Sequence, residues 1–212
     1  MIRFKLVLGV LALALAACPA LGAAAGDAIP YGPQAAWNPP DAVMQKWLEC
    51  KDSPCRQKVM QANAASAQAV SFLQQSKGHL MISFVELGKV DLAWGAFPGA
   101  SYQGQYYLLN GSPALVGVDD AAIKARKGGS LDLAANPGYR RLLERRPKTG
   151  LWQCRGFEGA DLSQAGQRFI FSFYLKEGCN ACPVAGLAYL AFDFDANGKF
   201  LGIKLVGLIA LR

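Results

Sequence analysis

The sequence predicts an α+β fold: an N-terminal helical hairpin packed on an antiparallel, meander-rich sheet, with short helices inserted between two groups of strands. Three observations carry this. Residues 41–76 place apolar side chains at helical spacing. From His79 onward the apolar period shortens to that of strands. Asn110-Gly111 and Asn197-Gly198 each join two strand-like runs, which is a hairpin signal because both residue types accept a positive φ.

The first element is not part of the fold. Arg3 and Lys5 precede the apolar stretch Leu6–Ala17, and small residues follow, so residues 1–25 read as a secretory signal peptide. Two cleavage readings compete. Leu15-Ala16-Ala17-Cys18 resembles a bacterial lipobox, which would lipidate Cys18, although Pro19 directly after the cysteine is unusual there. The other reading cuts within residues 22–25. Both export the mature chain, to the periplasm, to the outer membrane as an anchored lipoprotein, or into the medium. Loss of Arg3 and Lys5 lowers the formal charge from +7 to +5.

Residues 26–40 read as a linker closed by Pro39-Pro40, and residues 41–212 as a single domain. Asp41 caps a helix through Glu49, with Val43, Trp47 and Leu48 on one face. Ser53-Pro54 supplies an N-cap and an N1 proline for a second helix that runs to about Ser76 and stops at Gly78. Strands are expected at Leu80–Leu87, Val90–Phe97, Tyr106–Leu109 and Ala114–Val118. Asp119 and Asp120 start a helix to Lys127, ended by Gly128-Gly129, and Asn136-Pro137 starts another through Arg146. Leu151–Phe157 reads as a strand, a polar loop follows, and Phe169–Leu175, Gly186–Phe194 and Phe200–Leu208 read as three antiparallel strands. The two strand groups weakly echo one another and are read as two similar meanders, with one continuous sheet left open as the alternative.

The functional inventory favours binding over catalysis. The chain is 52% apolar and 17% charged, which excludes a wholly disordered chain. It holds one histidine and no G-x-S-x-G motif. His79 sits where a helix ends and a strand begins and reads as a structural residue. No cofactor is expected. The four tryptophans read as core or edge aromatics, with Trp37 in the linker worth inspection.

Five cysteines remain after Cys18: Cys50, Cys55, Cys154, Cys179 and Cys182. Export favours pairing, and the simplest scheme joins Cys50 to Cys55 and Cys179 to Cys182 and leaves Cys154 free. Cys179-Asn180-Ala181-Cys182 is a C-x-x-C pair with three readings: a structural disulfide, a thiol–disulfide redox pair, or part of a zinc site completed by Cys154, His79, Cys50 or Cys55. The strands on both sides remove the helix N-terminus that would activate Cys179, so the structural reading leads. Asp193, Asp195 and Asn197 match the first half of a calcium loop, but Lys204 stands where the closing Glu belongs.

The main surface feature is charge segregation. Residues 124–155 hold nine cations (Lys124, Arg126, Lys127, Arg140, Arg141, Arg145, Arg146, Lys148, Arg155) against Asp132 and Glu144. That window carries +7 and the rest of the mature chain −2. The expected role is therefore an exported, envelope-associated binding protein without catalytic activity, with this segment contacting an anionic envelope component or an acidic protein. Membrane contact would come only through Cys18 or the basic segment. Nucleic acid is disfavoured by compartment. The competing reading of the segment is a solvated amphipathic helix whose Arg stems cover the core.

Overall fold

The computed structural model describes residues 30–99, 104–179 and 181–211. The leader and both cleavage readings, Cys18 included, lie outside the described residues. The chain builds helices α1 (Asp41–Glu49), α2 (Ser53–Ala62) and α3 (Ala67–Gln75), then strands β1 (Leu80–Val85), β2 (Asp91–Ala96), β3 (Gly104–Leu109) and β4 (Leu115–Gly117). Helices α4 (Val118–Lys127) and α5 (Pro137–Arg145) follow, then β5 (Thr149–Ser163), β6 (Gly166–Glu177), β7 (Val184–Asp195) and β8 (Phe200–Ala210). The α+β class is as the sequence predicts, with two separate four-stranded antiparallel meanders, β1–β4 and β5–β8.

Three layers result. Alternation along the central strands of the first meander sends Tyr107, Leu109 and Ala93 to one face, where they meet Phe72 of α3 and Tyr31. Leu92, Leu108 and Val90 go to the other face and join Phe169, Phe171 and Phe173 of β6. Both faces of β2 are thus covered, which explains its nearly continuous apolar sequence. Helix α4 adds Val118 and Ala122 to the larger core, and α5 adds Tyr139 and Leu142. The two Asn-Gly turns touch: Ser112 N–H donates to Gly198 O at 2.8 Å, and Phe200 N–H to Ser112 O at 2.9 Å. A Cβ on Gly111 would stand 2.7 Å from Gly198 O, so glycine is required by this approach.

Several local expectations are corrected. The second helix is two: Ala64 adopts φ +59°, and Ser66 starts α3 by accepting Ala69 N–H at 3.0 Å. The Ser66 hydroxyl also donates to Gln34 O at 2.6 Å, so a tertiary contact helps fix the break. Asp52, not Ser53, caps α2, accepting Cys55 N–H at 2.8 Å. Asp41 is the first residue of α1, whose cap position is Pro40. Within the expected linker, Tyr31, Ala35 and Trp37 are buried, and Ala36 bridges Met81. The polar loop after Phe157 does not exist as such: β5 continues to Ser163 and turns directly into β6 at Gly166. Register shifts at three places bend β5, which is how an edge strand twists away from unwanted pairing.

Candidate functional site

Helix α4 ends above the start of β5, and a groove of about 530 Å³ opens between them. Arg126 and Lys127 enter it from the last turn of α4, and Lys148 from the residue before β5. Trp152, half-buried on β5, supplies an aromatic wall, and Asp119 and Gly178 complete the lining that matters here. The groove exists for local reasons. Gly128 N–H returns to Lys124 O at 2.9 Å and stops α4. Tyr139 of α5 donates from its buried hydroxyl to Thr149 O at 2.9 Å and so pins the start of β5. Gly150 keeps the strand bare beneath the guanidinium, since a Cβ there would lie 3.3 Å from Arg126 Nη1.

The groove is electropositive. No carboxylate lies within 4.0 Å of Arg126, Lys127 or Lys148 among the described residues. Asp119 is the one acid in the lining, and its Oδ1 accepts Cys154 N–H. Burial pushes the Asp119 carboxyl above its ordinary pKa, the Cys154 hydrogen bond pulls it back, and Asp120 raises it further. Burial also raises the Tyr139 phenol, against the field of Arg126. Cations in the last turn of α4 favourably meet the negative end of its dipole, each worth about 0.3–1 kcal/mol. That accounts for Arg126 and Lys127 without a ligand, but not for Lys148, which arrives from another element.

The nine-cation segment is therefore not one surface. Lys124 faces a different groove, with Asp120. Arg140 is tied to Ala134 O and Ala135 O at 2.9 and 3.1 Å. Arg155 pairs with Glu158 at 3.3 Å. Arg141 and Arg145 are exposed on α5, and Arg146 is half-buried at its end. Only Arg126, Lys127 and Lys148 converge.

The cysteines pair as Cys50–Cys55, stapling α1 to α2, and Cys179–Cys182, with Cys154 unpaired. The C-x-x-C loop joins β6 to β7, and its first residue, Gly178, borders the groove. No helix begins after Cys182, so the dipole that activates redox cysteines is missing. Burial and Asp119 together push the Cys154 thiol far above its ordinary pKa. Among the described residues no three His, Cys, Asp or Glu side chains gather as a metal cage. In the expected calcium loop, Asp193 binds Arg168 Nε at 2.6 Å and Lys204 Nζ at 3.1 Å. Asp195 accepts Asn197 N–H and Lys199 N–H, both at 2.9 Å, as a turn residue does.

One feature escapes sequence reasoning. His79 Nδ1 meets the Tyr107 hydroxyl, which accepts from Gln105 Nε2 at 3.1 Å. Gln105 Oε1 accepts Asp119 N–H at 3.2 Å, and Asp119 reaches Cys154. This polar chain links α3's end, β3, α4 and β5. Burial lowers the His79 pKa, with Asp120 opposing, and the Tyr107 phenol is raised far above its usual range, chiefly by burial. Asp119 thus bonds across to β5 and does not cap its own helix. Trp37 is buried and donates to Asn63 O at 3.2 Å.

The class the fold defines is an α+β protein of two stacked antiparallel meanders with a helical outer layer. No protein-family model, curated protein or solved structure matches the chain.

Proposed function

We propose that the chain is an exported, envelope-associated binding protein without catalytic activity, and that the groove between α4 and β5 is its contact surface for an anionic envelope component. The supporting observation is the convergence of Arg126, Lys127 and Lys148 from two elements beside Trp152, none of the three ion-paired to a carboxylate among the described residues. A concave, aromatic-walled surface where three cations face a single half-buried acid, Asp119, concentrates anionic ligands more than a convex one does. Trp152 adds an amphipathic ring of the type that suits a membrane interface. Export rests on the leader, and anchoring at the outer membrane on the lipobox reading of Cys18.

The test is co-sedimentation with vesicles of phosphatidylcholine, with and without phosphatidylglycerol. The expected result is binding to the anionic vesicles only, released as salt is raised. Equal binding to neutral vesicles, or none to either, overturns the reading.

A further inference from the structure

Helix α4 presents a second, chemically different groove on its neighbouring face. It measures about 500 Å³, within the range of small-molecule sites, and lies between α4, β4 and the start of β8. Its walls are Leu115, Ala121, Ala125, Phe200 and Ile203. Two features of the sequence keep it open. The only apolar side chains that the helix offers to the trough it shares with β8 are alanines, at 121 and 125. Gly202 lines the trough, and a Cβ placed there would meet no atom within 4 Å.

The charge at the rim is specific. Asp120 and Lys124 both border the trough, one turn apart. Asp120 is already held by Lys77 at 3.2 Å. Lys124 has no carboxylate within 4.0 Å among the described residues. The apolar trough is thus bordered by one ammonium group, Lys124, that is not ion-paired among the described residues, beside an Asp120 already paired with Lys77. A polyanion would waste the apolar walls, and a neutral hydrocarbon would leave the cation unused.

We infer that this trough binds a single-chain anionic amphiphile, a fatty-acid carboxylate, with the acyl chain along Ala121, Ala125, Phe200 and Ile203 and the carboxylate at Lys124. The site is separate from the groove at Lys148 and stands whether or not that groove binds anions. The carboxylate forms a charge-assisted contact with the ammonium group. The chain gains by leaving water, so each pair of methylenes removed weakens binding about tenfold.

Calorimetric titration of the full chain with dodecanoate, below its micelle concentration, tests this. Dodecanoate is expected to bind, dodecan-1-ol at least about tenfold more weakly, and octanoate about a hundredfold more weakly. Lys124→Gln should bring dodecanoate down to the affinity of dodecan-1-ol. Lys124 is exposed, so this variant requires no repacking. Ala125→Phe should abolish binding by filling the trough, with the melting temperature checked alongside. Lys58→Gln removes an equally exposed cation from α2 and should change nothing. Absence of dodecanoate binding, equal affinity for the alcohol, or an unaltered Lys124→Gln variant would overturn the inference.

Discussion

Gln167 offers a sharp test of how the two meanders are held together. It sits near the start of β6 in the second meander, yet its side chain serves the β1–β2 turn of the first. Its Oε1 accepts Val90 N–H at 2.7 Å, and its Nε2 donates to Leu87 O at 3.1 Å and Val90 O at 2.9 Å. Val90 is fully buried and Gln167 only 8% exposed, so water cannot replace these bonds without rearrangement. Each intramolecular hydrogen bond is worth roughly 0.5–1.5 kcal/mol net, and an orphaned buried group costs about 1–3 kcal/mol. Gln167→Met keeps most of the volume and removes all three bonds, so it should cost about 3 kcal/mol. In a domain of this size that lowers Tm by about 6–12 °C. Gln167→Glu should be no better, because its carboxylate still accepts from Val90 but faces two carbonyls. Urea unfolding with an unchanged slope gives the energy, and hydrogen exchange at Val90 gives the location. A Gln167→Met variant within about 0.5 kcal/mol of wild type, with Val90 protection intact, would refute the reasoning.

Other consequences are equally direct. Replacing both Cys50 and Cys55 by Ala opens a loop of about six residues and should cost about 2 kcal/mol, read as an earlier thermal transition. The Cys154 thiol, pushed far upward by burial and by Asp119, should resist alkylation at pH 8 in the folded chain and react once unfolded. Asp193 is held below the usual carboxylate range, first by the Arg168 hydrogen bond, with burial opposing and Lys204 assisting. Its contribution is therefore present above the unfolded aspartate pKa and is lost as pH falls through the lower folded value. Stability measured from pH 6 down to pH 2 should fall less steeply in Asp193→Asn than in wild type.

Much of the fold is legible in local chemistry, and the exceptions have physical causes. Helix α1, the Asn136 cap of α5 and both Asn-Gly turns stand where sequence places them, because each depends on one or two residues. The break between α2 and α3 was obscured by alanines at 62, 64, 65, 67 and 69, which suit a continuous helix. Ser66 and Asn63 were the available signal. The end of β5 reads as a loop in sequence because Gly156, Gly159 and Asp161 interrupt its alternation, as bulges on an edge strand do. The charge of the basic segment is evident in the sequence, but its division is not. Whether Arg126 meets Lys148 depends on where α4 ends relative to β5, a tertiary matter. The chain from His79 to Cys154 was hidden for the same reason, since Tyr107 and Gln105 look like ordinary strand residues.

The central claim is that three converging cations, and not net charge alone, form the contact surface. The most direct measurement compares affinities for phosphatidylglycerol vesicles of wild type, an Arg126→Glu/Lys127→Glu/Lys148→Glu variant, and an Arg141→Glu/Arg145→Glu variant reversed on exposed α5. At about 1 kcal/mol per cation near an anionic surface, the groove variant should lose about a hundredfold or more. The α5 variant should retain most of the binding. Equal losses per reversed charge in the two variants, or full binding by the groove variant, would contradict the account.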